Sequence, residues 1–148
     1  MNNNNRYTNV LWVDDDNDGA LRALGVLIEE SGVNLKIFNN YDFAFGFIQR
    51  EPPHQPWHSY SLLVDIIIPK KKAHGSLDPF PGLSLAATAA SKGIERICFL
   101  SVIREDQIST RLQELRSSHR STRFLYQDKL DLLEGEKLND ILRYLIEK

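Results

Sequence analysis

Leu62-Leu63-Val64-Asp65-Ile66-Ile67-Ile68-Pro69 is the stretch on which the fold turns. It is apolar throughout except for one carboxylate, and a proline closes it. A strand covered on both faces reads as such a continuous apolar run, and this is the habit of parallel sheets. Proline has no N–H to give to a sheet ladder, so it marks the end. An aspartate inside the run needs partners, because an unpaired carboxylate is costly to bury.

A second run of the same kind lies upstream: Val10-Leu11-Trp12-Val13 stops abruptly at Asp14-Asp15-Asp16. Between the two, Ala20, Leu21, Leu24, Leu27 and Ile28 recur at helical spacing. They predict a helix over about 17–30, stopped at Ser31-Gly32. Residues 33–38 predict a second strand and 41–49 a short helix, and Glu51-Pro52-Pro53-His54-Gln55-Pro56 is a loop. Downstream, the unperiodic stretch from Lys70 to Pro81 predicts a long loop in which Lys70, Lys71 and Lys72 are a solvated charge run. The alanine-rich segment 82–92 predicts a helix ended by Gly93, and 96–102 a fourth strand. Ile108, Leu112 and Leu115 share a helical face, 123–126 predicts a fifth strand, and Leu138, Ile141, Leu142 and Leu145 mark a last amphipathic helix. Strands alternating with crossover-length helices predict an α/β domain with a parallel sheet covered on both faces and right-handed connections.

Length and composition agree. At 148 residues the chain can bury a core without disulfides, and its single cysteine, Cys98, lies in an apolar strand as a small hydrophobe. A formal net charge of -2 gives no bulk pull toward nucleic acid or anionic membrane. Neither a signal peptide nor a membrane-length apolar run is legible, so the expectation is a soluble, cytoplasmic protein. The four histidines show no metal-ligand spacing.

In open α/β sheets, sites form where the carboxyl ends of strands meet the following loops. The first strand delivers Asp14, Asp15 and Asp16 there, the third Asp65, the fourth Ser101, and the loop after the fifth Lys129. Clustered carboxylates raise one another's cost of ionisation and persist most easily around a hard cation; Mg²⁺ takes oxygen ligands together with phosphate and water. An aspartate beside such a cation can attack phosphorus, and a lysine and a hydroxyl can hold the phosphoryl oxygens.

These residues, in this order, resemble the receiver domain of two-component response regulators. The features shared are a strand ending in an acidic pair (Val10 to Asp15), Asp65 followed by three apolar residues and Pro69, Ser101 at the end of the fourth strand, and Lys129 after the fifth. The resemblance implies a flavodoxin-like, doubly wound five-stranded parallel sheet of order 2-1-3-4-5 with five helices, spanning residues 9–148 after a polar tail of residues 1–8. It implies that Asp65 is the phosphoacceptor and that Asp14, Asp15, Asp65 and the backbone carbonyl of Ile67 hold Mg²⁺. Ser101 and Lys129 would then contact the phosphoryl group, with Ser101 and Tyr126 as the switch pair. The partners implied are a sensor histidine kinase or phosphotransfer protein and a downstream protein. A homodimer through the face of helix 4, strand 5 and helix 5 is an arrangement it allows. The expected role is a stand-alone receiver in a phosphorelay that is not an enzyme, signalling through a changed protein-binding surface. Apolar Ile67, at a position often polar in that family, predicts slow self-hydrolysis.

Two other readings compete. A phosphatase resembling the haloacid-dehalogenase family would use Asp14 as nucleophile, Asp16 as acid/base and Ser101 with Lys129 as phosphate ligands, but leaves Asp65 unexplained. A degenerate receiver would act only as an interaction module. Asp14, Asp16, Asp18 and Gly19 match the opening of a calcium loop, but its twelfth position, which calls for a bidentate acid, is Gly25.

Overall fold

The computed structural model describes residues 7–15, 20–50, 56–68, 79–133 and 135–147. Five strands, β1 (Asn9–Val13), β2 (Asn34–Phe38), β3 (Tyr60–Val64), β4 (Arg96–Ser101) and β5 (Arg123–Asp128), alternate with α1 (Ala20–Glu30), α2 (Tyr41–Arg50), α3 (Pro81–Lys92), α4 (Glu105–Ser118) and α5 (Gly135–Ile146). All ladders are parallel and the order is β2-β1-β3-β4-β5. This is the flavodoxin-like arrangement expected from the alternation of runs.

The two-residue period of a strand divides the core. Leu11, Val13, Leu62, Val64, Ile97 and Phe99 join Ile48, Leu83, Ala86, Ile108 and Leu112 in one cluster, so α2, α3 and α4 cover that face. Val10, Trp12, Leu63, Cys98 and Leu100 join Leu24, Ile28, Ile141 and Leu145 in the other, under α1 and α5. β3 is buried at every residue, Ser61 included, as a central strand covered on both faces must be, whereas the edge strand β2 is half open to solvent.

The boundaries differ from expectation in places that matter. The third strand was expected over 62–68 but runs Tyr60–Val64, so Asp65 stands just past its end. The chain turns there because Ile67 N–H donates to Asp65 Oδ1 (3.2 Å) and Gly82 N–H donates to the Ile66 carbonyl (2.8 Å). The fifth strand, expected to end at Tyr126, continues to Asp128 and passes into a 3-10 turn, Lys129–Leu133. α3 starts at Pro81, one residue early, with proline in the first turn where its missing N–H costs nothing. It ends at Gly93, whose φ of 113° suits glycine.

Most of the Lys70–Pro81 loop, with Lys70 to Lys72, lies outside the described residues, as do residues 1–6. Tyr7 is buried, its N–H donating to the Ile146 carbonyl (3.2 Å) and its hydroxyl to Glu95 (3.2 Å). Among the described residues, no helix is long and apolar enough to cross a membrane.

Candidate phosphoacceptor site

Parallel pairing carries the ends of β1, β3, β4 and β5 to one edge of the sheet. The backbone continues the ladder one residue into the cleft: Asp14 N–H donates to the Phe38 carbonyl (3.0 Å) and Asp65 N–H to the Val13 carbonyl (2.9 Å). Both side chains are thereby held where the core ends, Asp14 at 1% exposure and Asp65 at 7%. Asp15 is exposed beside them. Each of Asp14, Asp15 and Asp65 offers a carboxylate oxygen, and these oxygens lie within 4.8 Å of one another.

The cluster has a counter-ion of its own. Lys129 Nζ stands 2.9 Å from Asp65 Oδ2, and 3.1 and 3.0 Å from the two oxygens of Asp14. Burial is the largest influence on this ammonium and pulls its pKa down. Its hydrogen bonds to Asp65 and Asp14, together with their charges, outweigh that and leave the pKa above its ordinary value. Lys129 is the cation shown against this cluster among the described residues, and one ammonium cannot neutralise three carboxylates. The residues present therefore fit a divalent cation with oxygen ligands.

Ser101 and Tyr126 meet on a residue that the sequence did not single out. The Ser101 side chain is fully buried and its Oγ accepts the Ile103 N–H (3.2 Å). The Tyr126 hydroxyl donates to the carbonyl of the same Ile103. The two backbone groups of Ile103 are thus held by one side chain from β4 and one from β5. Burial, helped by Asp128, Glu105, Asp131 and Asp106, pushes the Tyr126 hydroxyl up to about 12, so it stays a donor through the neutral range. The register Ser101↔Asp128 sets Ser101 alongside the residue that precedes Lys129.

Of the expected site residues, Asp14, Asp15, Asp65 and Lys129 come together and Ser101 enters the same edge from the adjacent strand. For Ile67, the contact made is its N–H on Asp65 Oδ1. Asp16 lies outside the described residues. Gly82 was legible only as a helix start, yet a Cβ there would sit 2.0 Å from the Asp65 carbonyl oxygen. Close approach of backbone to backbone leaves no periodicity to read.

No protein-family model matches the sequence, and no curated protein matches it. Solved structures do. A two-component response regulator from Clostridium difficile is 23% identical, with 92% of this chain and 96% of that one covered at a TM-score of 0.59. A response regulator from Burkholderia pseudomallei, solved with a phosphorylated aspartic acid, calcium and citrate, is 19% identical over 93% of this chain and 66% of that one, at a TM-score of 0.62. A response-regulator receiver domain from Methanospirillum hungatei JF-1 is 19% identical over 90% and 95%, at 0.56. With the strand order and helix placement above, the chain has the fold of the response-regulator receiver domains.

Proposed function

We propose that this protein is a phosphoacceptor in which a phosphoryl group is transferred to Asp65 and read out as a changed protein-binding surface. The observation that carries the reading is the Lys129 ammonium bridging Asp14 and Asp65 inside a cluster of three carboxylates at the strand ends. Asp14, Asp15, Asp65 and the Ile67 carbonyl would hold Mg²⁺, which when bound offsets their charge and that of the phosphoryl oxygens. An Asp65 carboxylate oxygen attacks phosphorus, the bond from phosphorus to the donor breaks, and the donor leaves with that electron pair. Lys129 turns from carboxylate to phosphoryl oxygen as negative charge collects there. Donor and reader are expected to be proteins of the kinds that phosphorelays use, in the cytoplasm. Ile67 gives attacking water no polar side chain to orient it, so the acyl phosphate should be long-lived.

The test is incubation with acetyl phosphate and Mg²⁺. The protein should gain one phosphoryl mass, labile to hydroxylamine and prevented by chelator. No gain with small donors or with phosphotransfer proteins would leave only an interaction module. Metal binding is measured separately, through the fluorescence of Trp12, which is buried two residues from Asp14. Mg²⁺ should change the emission, and Asp14→Asn or Asp15→Asn should raise the apparent Kd by about tenfold or more. Strong preference for Ca²⁺ would oppose the site as drawn.

The readout passes through Ile103. If Ser101 Oγ swings to a phosphoryl oxygen, it releases the Ile103 N–H, and the carbonyl held by Tyr126 moves with it. The switch is a shift between two packings of that loop. A phosphoryl mimic should displace the NMR amide signals of Ile103 and of α4, and Tyr126→Phe should keep the displacement at Ser101 while shrinking that in α4. Changes restricted to the Asp14 and Asp65 loops would disprove the coupling.

A further inference from the structure

We infer that this chain forms a two-fold dimer through α1, at the β2 edge of the sheet. The idea goes beyond the phosphoacceptor reading and uses none of its residues. On the solvent side of α1, Arg22, Val26 and Glu29 follow one another at spacings that share one helical stripe. Arg22 and Glu29 are exposed, and neither has an ion-pair partner among the described residues. Val26 is 49% exposed and Ile37 of β2 is 42% exposed. Trp12, Gly25, Val26, Leu35 and Ile37 line a groove of about 220 Å³ with Arg22 and Glu29 also on its wall. Gly25 keeps it open, since a Cβ there would press to 3.3 Å from the Trp12 ring.

The charges on this stripe run against the helix that carries them. α1 has no acid in its first turn and no base in its last. Arg22 lies near the positive end of the helix dipole and Glu29 near the negative end, an order that costs helix stability. Their placement is therefore unexplained by α1 alone. It is explained by a second copy. Turned half a revolution about an axis through Val26, the sequence cation, apolar, anion becomes anion, apolar, cation. Two antiparallel α1 helices then pair Arg22 with Glu29 twice and close Val26 on Val26. A self-complementary patch of this kind is what a two-fold contact requires.

Sedimentation velocity over a concentration series should show reversible dimerisation, weaker at high salt. Arg22→Glu and Glu29→Arg should each raise the dissociation constant by about tenfold or more, because symmetry makes every reversed pair count twice. The double variant Arg22→Glu/Glu29→Arg should recover the wild-type value within a few-fold, and mixing the two single variants should give a heterodimer. Far-UV circular dichroism and acetyl phosphate labelling check that each variant is folded. A monomer at every concentration overturns the inference, as does a dimer indifferent to both single reversals, which would place the contact on another face. A double variant and a mixture as weak as the singles overturns the pairing of Arg22 with Glu29.

Discussion

Asp65→Asn should take up no phosphoryl group from acetyl phosphate under conditions that label the wild type fully. The amide lacks the nucleophilic carboxylate oxygen and cannot form the mixed anhydride, so the expected effect is complete loss rather than a slower rate. The variant should nonetheless fold. Removing one charge from a cluster of three carboxylates lowers their mutual repulsion, and Lys129 keeps Asp14 at 3.0 Å. Its melting temperature should therefore equal or exceed that of the wild type, which separates lost chemistry from lost structure. A phosphatase acting through Asp14 makes the opposite forecast. It would hydrolyse a generic phosphomonoester, lose turnover with Asp14→Asn, and keep its covalent phosphate in Asp65→Asn. Intact-mass spectra of the two variants after the same incubation decide between them, and persistent labelling of Asp65→Asn would refute the phosphoacceptor assignment.

What could be read in the sequence was whatever repeats or interrupts a repeat. The run from Leu62 stood out as a central strand because every residue in it is apolar but one, and Asp65 stood out because it is that one. The acidic stop after Val13 and the helical spacing of Leu24 and Ile28 were legible for the same reason. The end of β3 was not, because Ile66, Ile67 and Ile68 are apolar whether they continue a strand or turn under α3. Ile66 and Ile68 are buried, but in the loop rather than the strand. Lys129 could be placed after the fifth strand, yet its grip on both Asp14 and Asp65 depends on a 3-10 turn that no pattern announces. Ile103 meets Ser101 and Tyr126 through its backbone groups, and those contacts leave no mark on its side-chain identity.

Gly82 is the position where the smallest change should do the most harm to the fold. A methyl group built there meets backbone on its near side: the Asp65 carbonyl oxygen at 2.0 Å, the Ile66 Cα at 2.7 Å and the Asp65 carbonyl carbon at 2.9 Å. No rotamer change can relieve these contacts, so either α3 moves away or the turn after β3 does. The hydrogen bond from Gly82 N–H to the Ile66 carbonyl would stretch in both cases. Overpacking of this kind costs roughly 1–3 kcal/mol, and because the atoms met are all backbone Gly82→Ala should reach the upper end, or about 5–10 °C in melting temperature. The damage should also reach the chemistry. Asp65 is aimed by the same turn, through Ile67 N–H on its Oδ1, and a tilt of that carboxylate would loosen its contact with Lys129. Labelling by acetyl phosphate should slow at a temperature where the variant is still fully folded. Gly46→Ala is the control: its Cβ would meet nothing nearer than the flexible Arg50 side chain at 3.8 Å, within α2. That change should raise stability by roughly 0.5–1 kcal/mol through helix propensity and leave labelling unchanged. If Gly82→Ala melts and labels like Gly46→Ala, α3 does not hold the Asp65 turn in place.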